Sequence, residues 1–171
     1  MTDRRFPIGQ FVLKDAYTRK ELNELIQIIS STTADYRRLV ENLSEKELSN
    51  TYRDDSWNIR QLVHHVADIA LVHYLRMKKA ITESNYEMTL IDMNAWSATK
   101  DALEMPVNDS LNMFESIHHR YAFLAKNLSE EQLSISYFHP VRKIQLDQRQ
   151  AIAMSAWHAQ HHLAHIRLAL Q

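Results

Sequence analysis

At 171 residues, 45% hydrophobic and 24% charged, the chain is long enough for one domain with a substantial core, residues 1–171, and short for two. A formal net charge of −1 gives no reason to expect nucleic acid or an anionic membrane as partner. Zero cysteines exclude disulfides, thiolate zinc sites and a cysteine nucleophile; one glycine and three prolines argue against a turn-rich sheet fold. No apolar run approaches the ~18–20 residues that span a bilayer, and Met1-Thr2-Asp3-Arg4-Arg5-Phe6-Pro7 lacks a signal-peptide core, so a cytoplasmic protein is expected.

Residues 1–17 read as an irregular leader, with Pro7 and Gly9 as turn residues. Thr18 and Glu21 form a capping box, and Leu22, Leu25, Ile26, Ile29, Tyr36, Leu39, Val40 and Leu43 then recur at helical spacing. A first long helix is predicted over about 19–43. The octet Asn42-Leu43-Ser44-Glu45-Lys46-Glu47-Leu48-Ser49 returns, nearly unchanged, as Asn127-Leu128-Ser129-Glu130-Glu131-Gln132-Leu133-Ser134. Each copy ends a long helix, opens a short helical turn and precedes a histidine-bearing helix, so the chain looks like two helix–loop–helix halves.

Asn58 with Gln61 caps a second helix running to about Thr82, lined by Ile59, Leu62, Val66, Ile69 and Leu75. His65 shares that inward face, whereas His64 lies about 100° away on the flank. Residues 83–106 have no sustained period and are expected to cross over along the bundle, pinned to the core by Trp96. Val107, Leu111, Phe114, His118, Tyr121, Ala125 and Leu128 then give a third helix with a clean four-and-three alternation. Residues 135–146 are loop or a short extended piece around Pro140. Asp147 with Gln150 opens the fourth helix, ending near Leu170 with Ala151, Ser155, His158, His162, His165 and Ala169 on one stripe. The fold predicted is all-α: a four-helix bundle with a long crossover between its second and third helices.

The stretch Trp157-His158-Ala159-Gln160-His161-His162-Leu163-Ala164-His165 holds four of the ten histidines. His158 and His162, four apart on a helix, project from one face and can converge on one ion; His161 and His165 form a second such pair. A third ligand must come from elsewhere, and His65 is the candidate on an opposed seam. Three imidazoles around zinc or nickel would leave a place for water or substrate. The same spacing is open to a plainer account, in which these are core or interface histidines hydrogen-bonded to backbone. Asp68, three residues from His65, is either an acceptor orienting that ring or a solvated carboxylate. His161 and His165 either support the ligands or pack against the second helix, and His118 reads as a satisfied core histidine. Ala159 stands where a zincin protease carries its base glutamate, so metalloprotease chemistry is excluded. Coordination requires neutral imidazole, so an ordinary histidine pKa near 6.5 predicts metal loss below about pH 6.

Tyr52-Arg53-Asp54 followed by Trp57-Asn58-Ile59-Arg60-Gln61-Leu62-Val63-His64-His65-Val66-Ala67-Asp68 resembles the first signature of the YfiT-type branch of the DinB-like superfamily. Trp157-His158 with His161-His162-Leu163-Ala164-His165-Ile166 resembles the second. Phe6-Pro7-Ile8-Gly9 and Tyr137-Phe138-His139-Pro140 extend the likeness nearly end to end. The resemblance implies a dimeric four-helix bundle with one zinc or nickel ion per chain on His65, His158 and His162. It further implies either a metal-dependent hydrolase or an S-transferase using bacillithiol or a similar low-molecular-weight thiol as co-substrate. A metal-binding stress-response protein without turnover is the alternative. Asp54-Asp55-Ser56 departs from the family's glycine-rich turn, and Ile69-Ala70-Leu71-Val72-His73 from its more polar run, so the metal carries over better than the substrate.

Overall fold

The computed structural model describes residues 3–171; of the predicted leader, residues 1 and 2 lie outside the described ones. Four long helices, α1 (Arg19–Val40), α3 (Ile59–Thr82), α6 (Val107–Lys126) and α8 (Gln148–Ala169), carry the core. Between them lie the single-turn helices α2 (Glu45–Leu48), α4 (Met93–Ser97), α5 (Lys100–Glu104) and α7 (Glu130–Ser134), and the strands β1 (Ser136–His139) and β2 (Ile144–Asp147).

Local chemistry sets the helix starts. Thr18–Glu21, Ser44–Glu47, Asn58–Gln61, Ser129–Gln132 and Asp147–Gln150 all close reciprocal capping boxes, each side chain satisfying the other residue's free amide. The first helix stops at Val40, short of the predicted Leu43, and the third stops at Lys126 although Leu128 beyond it stays buried.

Helix α1 packs beside α6 and α8, and α3 packs beside the same two. Helices joined by each repeated octet therefore sit diagonally across the bundle. Tyr36, Val40, Ile59, Leu62, Val107, Leu111, Leu163 and Ile166 gather at one end, while Leu22, Ile26, Met77, Tyr121, Ala125 and Ile152 gather at the other. It follows that α1 and α8 run one way and α3 and α6 the other. Two parallel neighbours, α3 and α6, require a connection that returns along the bundle, which is what residues 83–106 provide, with α4 and α5 lying on α3.

Two expectations are corrected here, and the short extended piece around Pro140 is made specific. Trp96 does lie in a short helix but is 39% exposed, so it does not pin the crossover; Ser97 is the buried residue of that turn. Leu75 faces outward, because Met77 and Arg76 take the inward positions of that turn. Residues 136–147 form an antiparallel hairpin pairing Ser136 with Asp147 and His139 with Ile144. Its alternation buries Tyr137 and Leu146 against the bundle and leaves Phe138 outside.

Before α3, Asp55 adopts φ 55°, a left-handed conformation that aspartate tolerates better than most side chains.

Phe114 is buried in the middle of the α1–α3–α6 seam, its ring edge-on to Tyr36 at 4.9 Å and 4.1 Å from His118. Phe114→Ala should cost about 3–5 kcal/mol of folding stability. A urea denaturation midpoint matching that of the unsubstituted protein would contradict this placement.

Candidate metal centre

Helix α3 brings His65 against the His158–His162 face of α8, its antiparallel neighbour. Each of the three histidines offers one ring nitrogen, and these nitrogens lie within 4.8 Å of one another. His65 Nε2 and His158 Nε2 are 3.2 Å apart. Two nitrogens bound tetrahedrally at 2.0–2.1 Å to one ion would be about 3.3 Å apart, so this spacing fits a shared metal. Trp57 lies over the cluster, 4.6 Å from the His65 ring and 6.4 Å from that of His162. His65 and His162 are buried, and His158 is the half-buried member facing the adjacent pocket.

Hydrogen bonding orients His162. The Arg5 carbonyl can only accept, so His165 Nε2, 3.3 Å away, carries a proton. In neutral His165 the Nδ1 is then an acceptor, and its neighbour at 3.3 Å, His162 Nδ1, must donate. The proton of neutral His162 is thereby placed on Nδ1 and its Nε2 lone pair is left free. This is the support that metal-binding histidines commonly receive from a second residue. His165 is itself held by Tyr52, stacked at 3.9 Å.

The remaining histidines separate by role. His161 stacks on Trp157 at 4.4 Å with its buried Nδ1 unpartnered among the described residues. It also forms a second potential ligand group with His162 and His165. His162 Nδ1 is engaged in the His165 contact, which favours the group containing His65. His64 is satisfied away from the cluster by Ser110 Oγ at 2.7 Å and the Met105 carbonyl at 3.1 Å. His118 is the core histidine expected, with Nδ1 2.9 Å from the Ile29 carbonyl. Asp68 makes no hydrogen bond to His65 among the described residues; it is half-buried, and burial raises its pKa to about 6.

Two contributors were not singled out by sequence reasoning. The leader is irregular yet structural: Arg5 and Gly9 give their carbonyls to His165 and Trp157, and Phe11 lies 5.9 Å from the Trp157 ring. Gly9 has φ 82°, open only to glycine at low cost. The second is a pocket of about 400 Å³ beside His158, walled by Ile69, Met88, Leu90 and Met154, with His73, Arg76 and His139 along it. The run Ile69 to His73 that departs from the family pattern supplies two of those residues.

Burial keeps the cluster neutral. Desolvation takes His65 to about 4 and His158 and His162 well below the ordinary histidine value. Proton competition for a bound metal should therefore begin nearer pH 4 than the pH 6 expected from free imidazole. Folding stability responds with a definite sign. His65, His118, His161 and His165, each lowered to about 4 chiefly by burial, stay neutral in the fold while the unfolded chain takes up protons below about 6.5. Stability of the metal-free protein should be level above that pH and fall progressively from about 6.5 to 4. Urea midpoints equal at pH 7 and pH 5 would contradict the neutral burial of these rings.

Residues 28–166 match the model of the DinB superfamily. A Halalkalibacterium halodurans protein named as a provisional metal-dependent hydrolase is 41% identical over 168 residues, covering 98% of this chain and 97% of its own. YfiT of Bacillus subtilis, named likewise, is 30% identical over 161 residues, covering 94% and 90%. The solved structure of YfiT, described as having an unusual four-helix bundle topology, superposes with a TM-score of 0.92 over 96% of this chain and 94% of that one. A mycothiol-dependent maleylpyruvate isomerase shares the fold at a TM-score of 0.69 and 18% identity, over 85% of this chain and 60% of its own.

Proposed function

This chain belongs to the DinB superfamily, and we propose that it is a metal-dependent enzyme whose His65, His158 and His162 hold one zinc or nickel ion per chain. The observation that carries this reading is the 3.2 Å approach of His65 Nε2 to His158 Nε2, beside a His162 whose Nε2 lone pair is left free by the His165–Arg5 chain. A divalent ion there supplies a Lewis acid that lowers the pKa of water or of a thiol placed against it. The protein's own part is to keep three imidazoles neutral and converging, cover them with Trp57, and leave His158 open toward the pocket.

Hydrolysis and thiol transfer divide on what enters that open side. No aspartate or glutamate lines the pocket, so no carboxylate stands ready as a general base. A low-molecular-weight thiol activated at the metal needs none, which favours S-transfer onto an electrophile; hydrolysis of an ester or amide is the second reading, supported by the names of the relatives. A third, metal binding without turnover in a stress response, follows if zinc- and nickel-loaded protein turns over neither esters and amides nor thiol–electrophile pairs.

The ligand assignment has its own test. His162→Ala should abolish stoichiometric metal, while His64→Ala should retain it, because His64 is satisfied by Ser110 and Met105. Elemental analysis of the purified variants decides: metal kept by the first and lost by the second would reassign the site.

We propose further that the protein works as a cytoplasmic homodimer. Leu71, Leu75 and Phe123 are exposed apolar residues on α3 and α6, a surface that a second copy would cover. Light scattering should give about twice 20.1 kDa at micromolar concentration, and a monomer mass would refute it.

A further inference from the structure

Arg76 is a buried cation without a protein anion. Its residue is 9% exposed, and among the described residues it forms no ion pair with aspartate or glutamate. Nε and Nη2 both donate to the Thr89 carbonyl, at 3.1 and 2.8 Å, which fixes the guanidinium plane. Nη1 has no protein acceptor among the described residues, and Arg76 lines the pocket beside His158. Keeping an unpaired charge in such a place is costly unless something else completes it.

Two further donors meet it. His139, 8% exposed, accepts the Arg142 amide on Nδ1 at 3.3 Å, so the neutral ring carries its proton on Nε2. Burial and the nearby Arg76 and Arg142 charges lower its pKa to about 4, which keeps it neutral at physiological pH. Tyr137, 7% exposed, has no hydrogen-bond partner for its hydroxyl among the described residues, and burial raises its pKa to about 12. Arg76, Tyr137 and His139 together line a small extension of about 10 Å³ that also shares His73 and Met154 with the larger pocket. All three donors line it, and among the described residues no aspartate or glutamate lines either cavity.

We propose that this pocket is a carboxylate-binding site, taking a small organic acid whose carboxylate is received by Arg76 with His139 and Tyr137, and whose apolar body lies against Ile69, Met88 and Met154. One buried positive charge flanked by neutral donors matches a single negative charge, and a guanidinium edge suits a carboxylate in geometry. His65, Ile69, His73 and Arg76 follow one face of α3. His65 and Arg76 are eleven residues apart, a rise of about 16 Å, and Arg76 leans back toward the helix N-terminus as helical side chains do. An acid anchored at Arg76 therefore extends its other end toward His158. That the bound acid is the substrate rests on the metal-centre reading above; that the pocket selects an acid does not.

The test is calorimetric titration with 3-phenylpropionate and its uncharged amide, 3-phenylpropanamide, on metal-free and zinc-loaded protein. The acid should bind at least about tenfold more tightly than the amide in both forms, the worth of one charge-assisted hydrogen bond. Arg76→Gln should bring the two probes within about twofold, and Arg76→Lys should restore part of the preference, with metal content unchanged in each. Equal affinities on the unsubstituted protein, no binding of either probe at 10 mM (roughly the weakest affinity of interest), or a full acid preference in both variants would overturn the proposal. Acid binding seen only on the zinc-loaded protein and surviving Arg76→Gln would overturn it too, by placing the carboxylate on the metal. Should His162→Ala keep its metal while the acid preference persists, the metal assignment fails and the carboxylate pocket stands.

Discussion

Burying several imidazole rings side by side without charging them is the constraint on which the centre of this bundle depends. Each ring brings two nitrogens that water would otherwise satisfy, and each proton added would be repelled by the next ring. His64 and His118 meet the demand separately, with a serine hydroxyl and backbone carbonyls. His65, His158 and His162 differ, because each turns one ring nitrogen toward the other two, within 4.8 Å. The cation proposed above would resolve that crowding by taking the three nitrogens as ligands. The chain from His162 through His165 to the Arg5 carbonyl then fixes which nitrogen is offered.

That arrangement needs the diagonal topology. With α3 and α8 antiparallel neighbours, the first half of α3 runs beside the middle and end of α8, and His65 of one reaches His158 and His162 of the other. Ligands on long helices are held by the packing of the whole bundle, which suits a centre that must keep its geometry. The pocket beside them is built differently, from the middle of α3 and of α8 closed over by the crossover and the hairpin. Rigid helices thus present the histidines, while the connecting segments shape what can approach them.

Much of this was legible from residue order. Phe114, Tyr121 and Leu111 were readable as a seam because three-and-four spacing sustained over twenty residues after Pro106 leaves one helical solution. His158 and His162 were readable because four-residue spacing puts two rings on one face whatever surrounds them. Diagonal pairing was not readable, since the octets that look like hairpin turns carry no signal of which neighbour the next helix will choose. Trp96 misled because a large aromatic in a short helix has no period to reveal its direction, and it points outward. The hairpin strands are four residues each, too short for alternation to stand out from loop. Asp68 was open to two readings by spacing alone, an acceptor for His65 or a solvated carboxylate; among the described residues it makes no hydrogen bond to His65, whose Nε2 lies against His158.

The leader shows most clearly how a segment without periodicity can be integral to a site. Residues 3–17 have no helix or strand, yet the carbonyls of Arg5 and Gly9 meet His165 and Trp157. Carbonyls inside a helix or ladder already hold one backbone bond, although that of Ile29 in α1 still meets His118. An irregular strand of backbone, turned by a glycine at φ 82°, has carbonyls to spare and can deliver them to rings on α8. The His162 tautomer therefore depends on a contact spanning the chain from position 5 to position 165. Loss of that contact would free His165 to exchange its tautomer, and with it the direction in which His162 presents its lone pair, even with His65, His158 and His162 unchanged.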